Sequence, residues 1–232
     1  MTPQTLRIAT YNIRKAVGND RRRDPARILR VIAEIGADIV LLQEADRRLP
    51  PRRPVFDAAE IRASTGLAPV DLAHGRISMG WHGNVILVAP GIEVEWVRLY
   101  DLPGLEPRGC AEVVLRRSGL RFRVVAVHLG LLRVSRREQL TAVLGFLGES
   151  DMPTLIAGDF NERSLSVGLG RLSRRFRILA GGPTYHARYP IFALDRIAVS
   201  AGFEPLGIHA HHSPEAALAS DHLPLVADFN LA

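Results

Sequence analysis

Carboxylate, amide and histidine side chains recur in this sequence where apolar, strand-like runs meet loops. The stretch LIAGDFNE shows the pattern, because the apolar run that starts at Leu155 meets Gly158 and then presents Asp159 and Asn161. Loops at the ends of rigid strands are where distant segments assemble binding and catalytic sites. Oxygen ligands suit hard divalent cations, and histidines move protons near neutral pH. The residues that share this placement are Asn12, Glu44, His128, Asp159, Asn161, Asp195, Asp221 and His222.

Each of these residues, taken alone, also has an ordinary structural explanation. The alternatives are a turn cap for Asn12, a solvated strand end for Glu44, a hydrogen-bonded core histidine for His128, an Asx-turn for Asp159 and Asn161, a partner of Arg196 or another surface charge for Asp195, and a turn for Asp221 and His222. A purely structural account must hold separately at every one of these positions. One shared site at the strand ends is the more economical hypothesis.

The same segments carry motifs that resemble the endonuclease/exonuclease/phosphatase superfamily, whose members include deoxyribonuclease I-like nucleases, sphingomyelinases and inositol polyphosphate phosphatases. The motifs are, in the family's order, TYNI, ADIVLLQE, HGNVILV, VVAVHL, IAGDFNE, LDRIAVS and SDHLPLV. They extend from about Leu6 to Phe229, and GDFN together with SDHLP is a specific signal. The resemblance implies an α/β fold of four layers, in which two packed, mainly antiparallel β-sheets are flanked by helices. It also implies a single domain over residues 1–232.

The resemblance implies a bound divalent cation, Mg²⁺ or alternatively Mn²⁺. Glu44 would hold it, with Asn12 close by and Asp221 on the acidic side near the cation. A hard cation that keeps several waters needs only such a sparse set of oxygen ligands. It would polarise a phosphoryl oxygen and stabilise charge on the leaving oxygen.

By the same resemblance, Asp195 orients His222, which draws a proton from water or holds the scissile phosphate. Asp159 and Asn161 position the attacking water and a phosphate oxygen. We expect these two side chains, two apart on one strand, to point the same way. Asp159, Asp221 and His222 thus fall in the catalytic group, and His222 is favoured as the base in a role shared with Asp159. The resemblance makes His128 a phosphate ligand or a general acid.

Two further residues, Asn84 and Arg108, resemble family positions near the substrate phosphate, and Lys15, just beyond Asn12, would extend the anion-binding site. Their alternatives are surface solvation for Lys15, a strand-entry turn for Asn84 and a surface charge for Arg108. The sequence departs from the family at Arg196, where relatives often carry a tyrosine. No acidic partner that would orient His128 can be identified in the sequence.

The composition suits a globular chain that binds anions. Net charge is +6 with a sequence pI of about 10.3, and Lys15 is the only lysine. Arginine forks suit phosphate oxygens, although an arginine-rich solvated surface has the same composition. The single cysteine, Cys110, lies in an apolar run and is expected to be buried. Because neither a signal-peptide pattern nor a run of ~20 apolar residues is present, we expect a cytoplasmic protein without a membrane span.

Local patterns predict the helices that support the site. Asp24 followed by proline predicts a helix start, and Gly36 predicts its end. A second helix is predicted in FDAAEIRAST. A capping box formed by Ser135 and Glu138 predicts the start of a third helix over QLTAVLGFL, and GLGRLSRRF is predicted to be a fourth.

The strand-like runs alternate with these helices. They are LRIATYNI, ADIVLLQEA, NVILVA, EVEWVRL, CAEVVLRR, FRVVAVHL, TLIAGDF, LDRIAVS, LGIHA and LVADF. Ser118 and Gly119 between two of them predict a hairpin turn. Two successions of strands with helices attached favour two packed sheets covered by outer helices.

Taken together, the residues and the resemblance predict a Mg²⁺-dependent phosphoesterase, foremost a phosphodiesterase or nuclease that uses in-line attack of water. The alternative within the enzyme class is phospholipase C-like or phosphomonoesterase action on lipid or inositol phosphates, because fold alone does not select a substrate. The alternative from another class is a non-catalytic nucleic-acid-binding module. The expected partner is therefore nucleic acid or a phospholipid or inositol headgroup, and no protein partner is indicated.

Overall fold

Two six-stranded β-sheets form the centre of the structure. The computed structural model describes residues 4–47, 51–73, 77–164 and 167–231. Its strands are β1 (Gln4–Asn12), β2 (Ile39–Gln43), β3 (Ala68–Pro69), β4 (Val85–Val88), β5 (Glu93–Leu102), β6 (Arg108–Arg117), β7 (Leu120–His128), β8 (Thr154–Asp159), β9 (Arg177–Leu179), β10 (Asp195–Val199), β11 (Phe203–Ala210) and β12 (Leu225–Leu231).

The first sheet has the strand order β11-β12-β1-β2-β4-β3, and the second has the order β5-β6-β7-β8-β10-β9. One pair in each sheet is parallel, β1 with β2 and β7 with β8. The other described pairs are antiparallel. The predicted pair of mainly antiparallel sheets is therefore confirmed.

Helices cover the outer face of each sheet and complete four layers. The helices are α1 (Pro25–Ile35), α2 (Ala58–Thr65), α3 (Arg133–Leu147) and α4 (Pro214–Ala219). Side chains of α1, α2 and α4 share an apolar core with the first sheet, and those of α3 share one with the second. A third core fills the space between the sheets and includes Ile8, Leu41 and Val124.

The first two helices begin and end where the sequence predicts. The side chain of Asp24 accepts a hydrogen bond from the backbone N–H of Arg27 at the start of α1, and Gly36 ends the helix with a φ of 61°. The left-handed region suits glycine because it lacks a Cβ. Asp57 and Glu60 form a reciprocal capping box at the start of α2.

The predicted start of the third helix is wrong by three residues. Helix α3 begins at Arg133, and no side chain caps it at Leu132. Tertiary contacts hold this earlier first turn, because the Arg136 guanidinium donates to the backbone oxygens of Gly130 and Leu131. Ser135 lies buried within the helix, so it cannot serve as a cap.

The predicted fourth helix over GLGRLSRRF is also wrong. Only Leu172–Arg174 is helical there, as a 3-10 turn that leads into β9. Two glycines in this segment oppose helix formation, since each costs about 1 kcal/mol relative to alanine. One of them, Gly168, packs so closely on Glu162 that a Cβ would lie 2.2 Å from its carboxylate oxygen. Helix α4, by contrast, was not predicted.

Two smaller predictions are confirmed. Ser118 and Gly119 connect β6 to β7 with φ values of 50° and 84°, which matches a tight hairpin turn. Cys110 is buried with 1% exposure. No helix in the described part of the chain is long and apolar enough to cross a membrane.

Candidate active site

Strand alternation directs four of the predicted site residues into one end of the space between the sheets. Leu6 and Ile8 belong to the core between the sheets, and Asn12 has the same parity in β1. The residues two and four positions from His128, Asp159 and Asp195 belong to that same core. Because strand side chains alternate between faces, these polar residues continue the inner faces of their strands. All four are buried, with at most 3% exposure.

Register then aligns three of them across the second sheet. His128 at the end of β7 is paired with Asp159 at the end of β8. Asp159 is in turn paired with Asp195 at the start of β10. Directly opposed residues have Cβ atoms roughly 5 Å apart, so a row of titratable groups forms at this edge.

Asp159 is the centre of the hydrogen-bonded group. Its Oδ2 atom accepts a hydrogen bond of 3.0 Å from Asn12 Nδ2, which joins the two sheets. The same oxygen lies 3.5 Å from Nε2 of His128 and 3.7 Å from Nε2 of His222. Two imidazoles therefore flank one carboxylate at the mouth between the sheets.

The second imidazole is held by a buried carboxylate. His222 Nδ1 lies 2.8 Å from Asp195 Oδ2, and the Thr184 hydroxyl donates to that same oxygen at 2.6 Å. Oδ1 of Asp195 is buried without a hydrogen-bond partner among the described atoms. A buried carboxylate that is only half satisfied strongly favours a positive charge beside it.

The two histidines have opposite protonation preferences. Burial lowers the pKa of His128 to about 3, and the attraction of Asp159 does not offset it. Burial also lowers the pKa of His222, but the carboxylates of Asp195, Asp159 and Asp221 outweigh it and raise that pKa to about 9. At neutral pH the site holds a neutral imidazole on one side of Asp159 and an imidazolium on the other. Among the described residues, Asp159 is the one carboxylate within ion-pair distance of His128.

The prediction that Asp159 and Asn161 point the same way from one strand is wrong. Strand β8 ends at Asp159, and Asn161 has a left-handed φ of 51°. The Asn161 backbone N–H donates to Asp159 Oδ1 at 2.9 Å, which is the Asx-turn alternative. The Asn161 side chain donates to the backbone oxygen of Leu129 at 2.9 Å, so it holds the end of β7 beside the site.

Glu44 and Asn12 lie side by side at the same edge of the first sheet. Gln43, which precedes Glu44, is the register partner of Asn12 in the parallel pair of β1 and β2. The Lys15 ammonium contacts Glu44 Oε2, so a cationic group already lies against this carboxylate. Asn12 Oδ1 accepts the backbone N–H of Arg14 at 3.1 Å.

These oxygens fit a hard cation that keeps most of its water ligands. The described residues contain no group of three or more acidic, histidine or cysteine side chains arranged around a metal position. Mg²⁺ usually binds through one or two carboxylates and retains several waters, so a site with Glu44 and one amide oxygen suits it. Asp221 lies on the same side, since its Oδ2 is 3.4 Å from Nε of Arg14.

Lys15, Arg108 and His128 line one cleft together with Glu44. Arg108 is largely buried and pairs with Glu106 at 2.9 Å. Asn84 follows Gly83, which lines this cleft, and its amide donates to the backbone oxygens of Trp81 and Gly109. Asn84 Oδ1 is buried and has no hydrogen-bond partner among the described atoms, so it retains an acceptor but not a donor.

Two residues of the site were missed by sequence reasoning. Thr184, which binds Asp195, lies in an irregular segment whose residues carry no strand or helix pattern. The Ser220 hydroxyl donates to the backbone oxygen of Asn12 at 2.7 Å and accepts the His222 backbone N–H at 3.3 Å. The SDHLP motif contains Ser220, so the motif was the available signal for that residue.

Arg196 does not form the side-chain ion pair with Asp195 that one of the structural alternatives required. The Arg196 guanidinium lies near the backbone oxygens of Asp195 and Glu162 instead, at 3.4 and 3.5 Å. It is 3% exposed, and burial lowers its pKa. The Asp195 carboxylate is therefore left to His222 and Thr184.

Comparison with known proteins agrees with this geometry. A family model described as the Endonuclease/Exonuclease/phosphatase family matches residues 9–222. No curated protein matches the sequence.

Several solved structures share the fold. An endonuclease/exonuclease/phosphatase from Beutenbergia cavernae is 25% identical, with a TM-score of 0.77 over 99% of this chain and 72% of that one. D. rerio TDP2 complexed with a single-strand DNA product is 17% identical, with a TM-score of 0.70 over 98% and 99%. A mannosyl-6-phosphatase from Bacteroides thetaiotaomicron is 16% identical, with a TM-score of 0.74 over 97% and 99%.

Proposed function

The chain belongs to the endonuclease/exonuclease/phosphatase family, and on that premise we propose that it hydrolyses a phosphodiester bond by in-line attack of water on phosphorus. The observation that carries the proposal is the placement of His128 and His222 on either side of Asp159, with their Nε2 atoms 3.5 and 3.7 Å from its Oδ2. Because neighbouring carboxylates raise the pKa of His222 to about 9, its ring provides a positive charge for the phosphate. Because burial lowers the pKa of His128 to about 3, its ring stays neutral beside that phosphate.

His222, Asp159 and His128 then have distinct roles in the reaction. The His222 imidazolium holds a phosphoryl oxygen and stabilises the charge that develops in the transition state. Asp159 orients the attacking water and accepts the proton that this water loses as its oxygen bonds to phosphorus. Both oxygens of Asp159 are held in place, by Asn12 and by Asn161. The raised pKa of His222 thus favours the phosphate-holding role at neutral pH over the role of base. His128, neutral and buried, donates one hydrogen bond to the substrate.

A divalent cation, when bound at Glu44 with the Asn12 oxygen close by, would supply Lewis-acid stabilisation of the leaving oxygen. The protein's part is to keep Glu44 at the end of β2 with its backbone fixed. The Lys15 backbone N–H donates to the Glu44 backbone oxygen at 3.0 Å. Asp221 adds negative charge to this side of the site and favours a cation there.

Charge pairing around the cleft supports a diester over a monoester. Lys15 pairs with Glu44, Arg52 with Asp46, and Arg108 with Glu106. These basic side chains are partly neutralised before substrate arrives. A singly charged diester needs less positive charge than the dianion of a phosphomonoester. The alternative action on lipid or inositol phosphates uses the same residues and differs only in the group attached to phosphorus.

A substrate panel tests the proposal directly. Purified protein is assayed with bis-p-nitrophenyl phosphate, p-nitrophenyl phosphate, plasmid DNA and sphingomyelin, each with Mg²⁺ and with chelator. We expect turnover of the diester that chelator abolishes and that His222→Ala lowers by at least a hundredfold. Cleavage of the monoester in preference to every diester would contradict the proposal. A protein that turns over no substrate, and whose cellular role survives both Glu44→Ala and His222→Ala, would instead be a non-catalytic module.

A further inference from the structure

Large apolar side chains are exposed in chain segments that are connected to the mouth between the sheets. Eleven large hydrophobic residues are exposed in the described part of the chain, and three of them, Val94, Phe146 and Leu206, lie near the start of β5, near the end of α3 and within β11. The remaining eight, here called the apolar rim, are Ile77, Leu105, Leu131, Leu132, Val134, Val167, Tyr189 and Ile191. Their exposure runs from 54% for Leu132 to 85% for Leu105.

The apolar rim is joined to the site by short stretches of chain. Leu131 follows His128, the last residue of β7, by three positions, so their Cα atoms lie within about 11 Å of each other. The Leu131 backbone N–H donates to Glu106, which follows Leu105 and pairs with Arg108 of the cleft.

The other side of the rim is also anchored to the site. Tyr189 and Ile191 lie in the loop that starts at Tyr185, and Tyr185 forms a β-bridge with His222. Ile77 lines a groove with Arg52 and His82, which also line the cleft that contains Glu44. These connections tie the apolar rim to the face that contains the mouth.

Arginines accompany the rim where α3 begins. Val134, Arg137 and Arg171 line one groove, and Val167, Arg137 and Arg174 line the adjoining one. All three arginines are exposed, and Glu138 is the acidic side chain that shares the first groove. Arg133, which is 52% exposed, is paired with the buried Glu162.

We propose that this face docks on an anionic membrane surface, with the apolar rim in the interfacial layer and Arg137, Arg171 and Arg174 at the level of the lipid phosphates. Exposed aliphatic side chains flanked by arginines are the combination that binds bilayer interfaces. Single-stranded nucleic acid instead stacks on aromatic side chains, and Tyr189 is the aromatic member of the rim. A bilayer also presents phosphate esters at the mouth, where they could act as substrates. This last argument rests on the proposed function.

Vesicle co-sedimentation tests the docking without relying on turnover. The protein used is His222→Ala, mixed with vesicles of phosphatidylcholine alone or of equal parts phosphatidylcholine and phosphatidylglycerol. We expect binding to the anionic vesicles that weakens as salt is raised. The combined variant Leu131→Ser, Leu132→Ser, Val134→Ser should weaken partitioning at least tenfold. The combined variant Arg137→Glu, Arg171→Glu, Arg174→Glu should weaken it by more, since each arginine near the surface accounts for roughly fivefold.

Matched controls separate the rim from general surface effects. Val94→Ser with Leu206→Ser removes exposed apolar groups from other positions, and Arg22→Glu, Arg23→Glu with Arg62→Glu removes the same number of exposed charges. Both controls should bind vesicles as the parent does, and all variants should keep its melting temperature.

Three outcomes would overturn the docking proposal. The first is a parent protein that does not sediment with anionic vesicles, and the second is binding that the rim and arginine variants leave unchanged. The third is binding of single-stranded DNA, but not of vesicles, that the arginine variant abolishes, which would make the face a nucleic-acid track. None of these outcomes bears on turnover of a soluble diester, so the proposed function is tested separately.

Discussion

The Nδ1 atom of His222 lies 2.8 Å from Oδ2 of Asp195, inside a site where both residues are at most 5% exposed. The two residues are 27 positions apart in the chain and come from the start of β10 and the loop before β12. This contact fixes the imidazole ring against a charge that water cannot screen. The protonation state of His222, and hence its part in chemistry, follows from that placement.

The Thr184 hydroxyl is predicted to position Asp195. It donates to the carboxylate oxygen that also binds His222, at 2.6 Å. Thr184→Val keeps the shape of the side chain but removes the donor, so kcat for a diester should fall tenfold or more with little change in KM. Thr184→Ser keeps the donor and should restore most of kcat. Steady-state kinetics at saturating Mg²⁺ decide the point, and equal loss in both variants would show that packing, not the hydrogen bond, matters there.

The pKa of His222 predicts a stability contribution that depends on pH. The folded-state pKa is about 9 and the ordinary pKa of histidine is 6.5, so the folded protein binds this proton more tightly. The contribution is fully present below about pH 6.5 and disappears as the pH rises through 9. Its size is roughly 3 kcal/mol at most.

The measurement is urea unfolding of the parent and of His222→Gln across this pH range, in chelator so that no cation contributes. The difference in unfolding free energy between the two proteins should be largest at the acidic end and should shrink toward pH 9. A difference that stays constant with pH would rule out a raised pKa.

The same electrostatics predict that His128 remains neutral over the working range. Its pKa is lowered to about 3 because it is buried. In NMR spectra the ring of His128, assigned by comparison with His128→Gln, should not titrate between about pH 5 and pH 8. A midpoint near 6.5 would mean that water reaches this ring, and would remove the contrast between the two imidazoles.

Much of this site follows from strand patterns in the sequence. The parity of Asn12, His128, Asp159 and Asp195 with the apolar residues of their strands determines that they face the space between the sheets. The strand pattern does not predict the backbone conformation of residues that follow the end of a strand. Asn161 takes a left-handed turn, and Thr184 reaches Asp195 from a segment without regular structure.

The start of α3 shows the same limit. Local capping chemistry favours Ser135, whereas the Arg136 contacts with Gly130 and Leu131 place the helix start earlier. Such contacts join residues whose proximity depends on the finished packing of α3 against the second sheet. The sequence around the helix carries no pattern that would reveal them.

Metal dependence is predicted to rest on Glu44. Glu44→Gln keeps the side-chain volume but lowers the charge, so the Mg²⁺ concentration for half-maximal turnover should rise tenfold or more. Glu106→Gln is the matched control, because Glu106 lines the same cleft but pairs with Arg108. That control should change KM for the substrate and leave the Mg²⁺ requirement nearly unchanged. If the parent and Glu44→Gln had the same Mg²⁺ titration curve, Glu44 would not be a ligand of the cation.

Close packing of β7 on β8 predicts that Gly158, which precedes Asp159, tolerates no side chain. A Cβ at this position would lie 1.8 Å from the backbone oxygen of Val127, in the strand pair that aligns His128 with Asp159. Gly158→Ala should therefore destabilise the fold by several kcal/mol or separate the strand ends, because neither backbone can move without breaking the hydrogen bonds between β7 and β8.

Gly145→Ala is the control, since a Cβ at this position of helix α3 meets nothing within 4 Å. It should raise stability by up to about 1 kcal/mol. Urea unfolding of both variants decides, and a Gly158→Ala protein as stable and active as the parent would show that the strand ends are not held in this register.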